Sequence, residues 1–337
     1  MGLDWPVEYG GRGAGVVEQL IYNEEAVRAR APNLINLSVG TSLTGPTLIA
    51  CGAQWQKERF LEPILTGQDV WCQGFSEPGA GSDLAGIRTR GEVVDDAILV
   101  TGQKTWTSFA RYADWCILLV RTDPDAGRHG GLTFLLLDMS TPGIEIRPLR
   151  EMTGESWFNE VFFDEVRVPL SHVVGGIGQG WQIAMTTLAH ERGSSAQHAL
   201  LERDLEAMMT LARRRLRNGK PASEDPVIRQ KLASFAASVM ILRMTAYRNV
   251  SSLERDGVPG PEGSTLKLFW SELDQEVKST AVEILGLDGL VPDGDAACVD
   301  DGYWAHELLW SRAATIYAGT SEVQRNIIAQ RVLGLPR

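Results

Sequence analysis

Long apolar runs are missing from these 337 residues: no stretch approaches the roughly 18 consecutive apolar residues that a membrane-spanning helix needs. The opening MGLDWPVEYGG has neither the basic nor the apolar segment of a secretory signal. Basic charge is in deficit. Thirty-two Lys and Arg stand against 43 Asp and Glu, a formal net charge of −11, so counterion-release binding to nucleic acid or to an anionic membrane has little to draw on. Any phosphate-bearing ligand must be held by local donors. Cysteine is scarce as well. Cys51, Cys72, Cys116 and Cys298 lie far apart with no CxxC and no His at metal-ligand spacing, which argues against a disulfide scaffold and against a metal site. They read as core thiols of a soluble protein in a reducing, cytoplasmic compartment.

What is present suffices for about two domains of typical size, with 44% hydrophobic residues to fill their cores. Three textures succeed one another, giving an α+β chain. Residues 1–68 form an incomplete N-terminal helical domain, with a helix in GVVEQLIYNEEAVRARAP ending before Pro32 and a second over 45–67. Residues 69–172 carry short β-rich runs such as AILVTGQKTWTS, WCILLVRTD and EVFFDEVRVP between Gly, Pro, Asp and Asn turns, the pattern of an antiparallel, barrel-like β domain. Residues 173–337 read as a four-helix bundle with helices at 180–217, 226–256, 262–286 and 300–331.

Glycine clusters at Gly11, Gly13, Gly15 and at Gly176, Gly178, Gly180 are GxGxG, not the GxGxxG of a dinucleotide fold, and read as connectors. The stretch Phe75-Ser76-Glu77-Pro78-Gly79-Ala80-Gly81-Ser82-Asp83 differs. It follows a strand and packs hydroxyls and small residues where a planar or phosphorylated ligand could approach the backbone. Further on, Gly102-Gln103-Lys104-Thr105-Trp106-Thr107-Ser108 puts an indole and hydroxyls at another strand end. Near the C-terminus, Ile316-Tyr317-Ala318-Gly319-Thr320-Ser321-Glu322-Val323-Gln324-Arg325-Asn326 contains a Ser321-x-x-Gln324 capping box opening a helix.

In these three motifs and their order the chain resembles the acyl-CoA dehydrogenases, flavoenzymes that desaturate acyl-CoA thioesters between the α and β carbons. The resemblance implies FAD contacts from Gln73, Phe75, Ser76, Gly81 and Ser82, with Trp106, Thr107 and Ser108 covering the other side of the flavin. It implies further contacts from Thr320 and Glu322, and from Glu283 and Gly286 to the dinucleotide tail of a neighbouring subunit's FAD. Ser82 also belongs to the substrate side. Many members carry an Arg and a Phe-Gly for that tail, where this chain has LARRRLRNGKPASEDP. Family chains usually have some tens of residues before the segment beginning WPVEYGGRG, so a shortened N-terminal domain is expected.

The catalytic base departs from the best-known branch, which has a Glu between the Tyr and Gly of the last motif; here it is Ala318. Other branches take the base from the first bundle helix, just before an arginine, and this chain reads His190-Glu191-Arg192. Independently, Trp181, Ala184, Met185, Leu188, Ser195 and Ala199 fall on one helical face, with Glu191 and Arg192 in or beside the same arc. Charges on an apolar stripe are costly unless paired or functional, so the two read either as a structural ion pair or as an active-site pair. As the latter, Glu191 takes the α proton, Arg192 binds the pantetheine or CoA portion, and the Ala318 N–H holds the thioester oxygen. The implied electron acceptor is an electron-transfer flavoprotein, and the implied assembly a homo-oligomer or a heteromer with a related dehydrogenase. Two alternatives stand beside this: a non-catalytic partner subunit of a heteromeric dehydrogenase, or a related flavoprotein oxidase or monooxygenase.

Overall fold

A computed structural model describes residues 2–32, 34–191 (Glu191 by its backbone only), 196–257, 260–291 and 293–336. In chain order the elements are α1 (Val16–Arg28), α2 (Ile35–Ser38), α3 (Gly45–Cys51), α4 (Gln54–Thr66), β1 (Trp71–Gly74), β2 (Arg90–Val94), β3 (Ala97–Ser108), β4 (Trp115–Arg121), β5 (Leu132–Asp138), β6 (Ile144–Pro148), β7 (Phe158–Pro169), α5 (Gly180–Glu191), α6 (Gln197–Arg214), β8 (Leu216–Arg217), β9 (Lys220–Pro221), α7 (Pro226–Asp256), α8 (Gly263–Leu285), α9 (Tyr303–Ala314) and α10 (Ser321–Ile327). They form two compact units, one of residues 1–14 and 32–193, the other of 15–31 and 194–337.

The first unit is built on a curled seven-stranded sheet of order β1-β4-β2-β3-β7-β6, with β5 on the free side of β4. The sequence predicts an antiparallel sheet; most pairs are antiparallel, but β1 runs parallel to β4 with Trp71 opposite Trp115 and Cys72 opposite Cys116. Both faces are buried, which is why β4 and β5 read as unbroken apolar runs instead of alternating ones. Trp71, Ile117, Leu119, Phe134 and Leu136 meet Leu48, Phe60, Leu61 and Ile64 of α3 and α4 and Ile183 and Ala184 of α5. Cys72, Cys116, Leu118, Leu135, Val161 and Val166 fill the opposite side. All four cysteines are free, and of them Cys72 and Cys116 are the core thiols, while Cys51 and Cys298 are only half-buried.

The helix expected over 45–67 breaks at Gly52, whose ψ of 151° is extended. Gln56, fully buried, bonds the Ala53 N–H at 2.9 Å and donates to the carbonyls of Ser171 and Val173, so the break anchors α4 to the chain beyond β7. Trp5, 1% exposed, lies against Gly45, where an added Cβ would meet its ring at 1.8 Å. Only glycine leaves room for that indole.

The second unit holds the long helices α6 to α9, joined by α1, which the sequence reading assigned to the N-terminal domain. The helix expected over 180–217 is two, α5 and α6, belonging to different units. That expected over 300–331 is also two, separated by the turn before Thr320. Asp225 caps α7 by accepting from the N–H groups of Val227 and Ile228, with Pro226 at the first helical position. The core is Met208, Leu211, Ile228, Phe235, Val239, Leu242, Leu273, Val277 and Trp304. A charged network lies within it: Lys278 bonds Asp204 and, at 3.3 Å, Asp274, while Asp204 accepts from Tyr303 at 2.8 Å and from Arg203 at 3.0 Å. Every member has a partner, as a buried charge requires.

Candidate functional site

The first two motifs are neighbours in the first unit. The Thr105 N–H donates to the Ser76 carbonyl at 2.9 Å, tying the loop after β1 to the end of β3. Between Lys104 and Thr107 the pairing of β3 with β7 slips, a bulge whose extra residue turns a side chain outward. That residue is Trp106, with φ of 58° and 60% of its surface exposed, its ring edge-on to Phe158 at 5.9 Å. Asn159 fixes the bulge by donating to the Thr107 carbonyl at 3.0 Å.

Beneath lies an ion pair that sequence reasoning did not single out. Lys104, fully buried, donates to Glu77 at 2.8 Å and to the Phe75 carbonyl at 3.0 Å. Glu77 also accepts from the N–H groups of Arg88 and Thr89 at 2.7 and 2.9 Å, and its backbone pairs with that of Ala80 around Pro78 and Gly79. Loss of water pushes the Lys104 ammonium down to about 8 despite Glu77. Burial works to raise the Glu77 carboxyl, but the Lys104 charge and the donors around it hold it below the usual value. One lysine thus staples the two motifs from behind.

The accessible face carries Ser76 and Ser108, half-buried, and Gly81 and Ser82, exposed. None of these three hydroxyls is bonded to another described residue, and a Cβ at Gly79 or Gly81 would meet nothing within 4 Å. An exposed indole, uncommitted hydroxyls and open backbone suit a flat polar ring system such as a flavin. Gln73 is half-buried on β1, the strand that leads into this loop. The Phe75 side chain is 4% exposed and packs on Phe134 at 5.8 Å, and Thr107 is fully buried with its Oγ1 unpartnered. Phe75, one residue past β1, and Thr107, just beyond the β3 bulge, both turn their side chains into the interior and offer a ligand only their backbone.

In the second unit the cap of α10 is Thr320, whose Oγ1 accepts from Val323 N at 3.2 Å, and not Ser321. Gln324 instead donates to the Ala318 carbonyl at 2.8 Å, and Lys267 to the Gly319 carbonyl at 2.7 Å. Ala318 is held at φ 52°, with no acceptor for its N–H among the described residues. Glu322 is exposed in the first turn. Glu283 pairs with Lys231 and, at 3.3 Å, Arg217, and Gly286 ends α8. A shallow groove of about 570 Å³ beside it is lined by Lys231, Glu272, Gln275, Glu276, Ser279 and Arg312. Glu191 is the last residue of α5; its side chain, Arg192 and Ser195 lie outside the described residues. On α5 the buried residues are Gly180, Ile183, Ala184 and Thr187, and Met185, expected on the apolar face, is 37% exposed.

Residues 1–68, 72–166 and 178–333 match the N-terminal, middle and C-terminal domain models of acyl-CoA dehydrogenase. The chain belongs to the acyl-CoA dehydrogenase family. It is 42% identical to acyl-CoA dehydrogenase IpdE1 of Mycobacterium tuberculosis over 99% of its own length and 84% of that protein's. Among solved structures it is similar to the Tcur3481-Tcur3483 steroid ACAD, with a TM-score of 0.91 and 33% identity over 100% of this chain and 85% of that one. It is also similar to a chain of the ChsE4-ChsE5 complex from Mycobacterium tuberculosis, with a TM-score of 0.90 and 32% identity over 100% of this chain and 86% of that one. This acyl-CoA dehydrogenase is therefore an oxidoreductase acting on acyl-CoA, in a family whose members are typically flavoproteins. No helix among the described residues is long and apolar enough to cross a membrane.

Proposed function

We propose that this chain catalyses α,β-dehydrogenation of an acyl-CoA thioester to the trans-2-enoyl-CoA with FAD. The observation that carries the reading is the pair of strand-end motifs joined through Thr105 and Ser76, with uncommitted hydroxyls and an exposed indole on their accessible side. Ser76, Gly81, Ser82, Trp106 and Ser108 would hold the flavin, with Gln73 beside them, and Thr320 and Glu322 would add contacts from the turn before α10. The chemistry supplied by bound FAD is acceptance of the β hydride, with electrons passed on to an electron-transfer flavoprotein in the cytoplasm. Glu191 takes the α proton on its carboxylate. The Ala318 N–H, on a turn fixed by Gln324 and Lys267, hydrogen-bonds the thioester oxygen as negative charge develops there, and Arg192 binds the CoA portion. The similarity to a steroid ACAD makes ring-bearing thioesters the first substrates to try. Anaerobic bleaching of the flavin by a panel of acyl-CoA thioesters tests the reading. Glu191→Gln should keep FAD and bind substrate yet bleach at least about a hundredfold more slowly; a near-normal rate would remove Glu191 as the base.

A second reading concerns the assembly. In place of the usual tail-binding Arg and Phe-Gly, three arginines of the Arg-rich stretch are already engaged: Arg214 with Asp300, Arg215 with Asp288, Arg217 with Asp225 and Glu283. This favours a heteromer in which a related dehydrogenase subunit supports the dinucleotide tail, in keeping with the similarity to a chain of the ChsE4-ChsE5 complex. FAD bound per chain should then rise when the two subunits are co-purified.

A further inference from the structure

Arg121, the last residue of β4, has no carboxylate partner among the described residues. Its guanidinium donates instead to five backbone carbonyls: Ala85 at 2.8 Å, Ile87 at 3.1 Å, Gly130 at 3.2 Å, Arg128 at 3.3 Å and Gly127 at 3.4 Å. The first two lie two and four residues past Asp83; the other three belong to the β4–β5 loop, DPDAGRHGG. A planar fork of donors can tie two loops together in a way a lysine cannot. The loop is held at two further points, by Arg128 to Asp83 and by the His129 ring against Trp181 at 4.6 Å. Arg128 is thereby carried to the rim of the Gly81–Ser82 site, with 63% of its side chain exposed.

A CoA thioester brings several phosphate charges to a chain of net charge −11, so a local cation must meet them. We propose that Arg128, presented beside Ser82 by the loop that Arg121 fastens, receives a phosphate of the CoA nucleotide. The Asp83 carboxylate that pairs with it is 54% exposed, and such a pair is weak in water. A phosphate offers more charge and a bidentate face, and takes the guanidinium from it. Arg121 acts through Arg128 and is a positioning residue.

This inference rests on the acyl-CoA reading above. Its test is calorimetric titration of the FAD-loaded protein, with any co-purifying subunit, using coenzyme A, 3′-dephospho-coenzyme A and pantetheine. Arg128→Ala should weaken coenzyme A binding about tenfold and Arg128→Lys by less, with pantetheine unaffected. Arg121→Lys should copy the selective loss although Arg128 is intact. Dephospho-coenzyme A bound equally by wild type and Arg128→Ala assigns the contact to the 3′-phosphate; a persisting difference assigns it to the pyrophosphate. Equal coenzyme A affinity in wild type and Arg128→Ala, or an equal loss for coenzyme A and pantetheine, overturns the proposal. A wild-type protein that binds no coenzyme A would instead bring down the acyl-CoA reading, and the proposal with it.

Discussion

Replacing Lys104 by Met is the most informative perturbation of the folded chain, because the side chains are close in length and only the charge is lost. Lys104 is fully buried and Glu77 is 9% exposed, so solvent screens neither. Removing one partner of such a pair leaves an uncompensated buried charge and costs roughly 3–5 kcal/mol. At about 2–4 °C per kcal/mol for a domain of 150–250 residues, the melting temperature should fall by roughly 6–20 °C. Glu77 keeps the Arg88 and Thr89 N–H groups, which places the cost toward the lower end. The pH dependence identifies the cause. In the wild type the Glu77 carboxyl is held below its ordinary value, so its contribution is present above about pH 4.5 and is lost as pH falls through the folded value. Without Lys104 the buried carboxyl is pushed above its ordinary value, so the folded variant takes up a proton first and recovers stability on acidification. The penalty should therefore be smaller at pH 5 than at pH 7, and Glu77→Gln added to Lys104→Met should recover part of it. Urea unfolding of the single and double variants at both pH values is the assay. A Lys104→Met penalty under about 1 kcal/mol, or one that does not change with pH, would refute the buried-pair argument.

Thr107→Val removes a buried hydroxyl that has no partner, so stability should hold or rise by up to about 1 kcal/mol and FAD content should be unchanged; a drop in FAD retention, read from the flavin absorbance, would show that Thr107 does face the ligand. Gly45→Ala drives a methyl to 1.8 Å from the Trp5 ring and should cost about 1–3 kcal/mol in thermal or urea unfolding, with a red-shifted tryptophan emission as Trp5 moves toward water.

The fold was legible wherever a segment's partner could be inferred from its own pattern. The apolar runs of β4 and β5 and the 3.6-residue periods of α7 and α8 announce their elements, because burial on two faces or on one stripe leaves its mark in the composition. β2 and β6 were missed. Arg90–Val94 and Ile144–Pro148 carry mostly exposed side chains, and neither run is apolar enough to be seen without its neighbour. Merged helices failed for a different reason: Gly52 and the turn at Ala318-Gly319 interrupt apolar periodicity that continues on both sides. The parallel pairing of β1 with β4 depends on register over 44 positions of sequence and has no local signal at all.

The candidate site divides along the same line. The proposed flavin contacts Ser76, Gly81, Ser82, Trp106 and Ser108 can be read from sequence because hydroxyls, glycines and an indole are conspicuous at strand ends. What holds them cannot be read so directly. Lys104 looked like one more polar residue of a strand end, yet its alternate position on β3 sends it inward, where Glu77 across the sheet makes its charge tolerable. Arg121 looked like the polar stop of an apolar run, and its partners are carbonyls, which every residue has and no sequence distinguishes. Phe75 and Thr107 belong to the same motifs but keep their side chains in the core, so only their backbone is open to a ligand. Counted from the inward-pointing Lys104, a strict two-residue period would put Trp106 inside and Thr107 outside, and the bulge reverses the two. The bulge depends on pairing with β7, more than fifty residues further along the chain. The residues that touch a ligand are thus the more legible half of such a site, and the residues that aim them become legible only once the strands are paired.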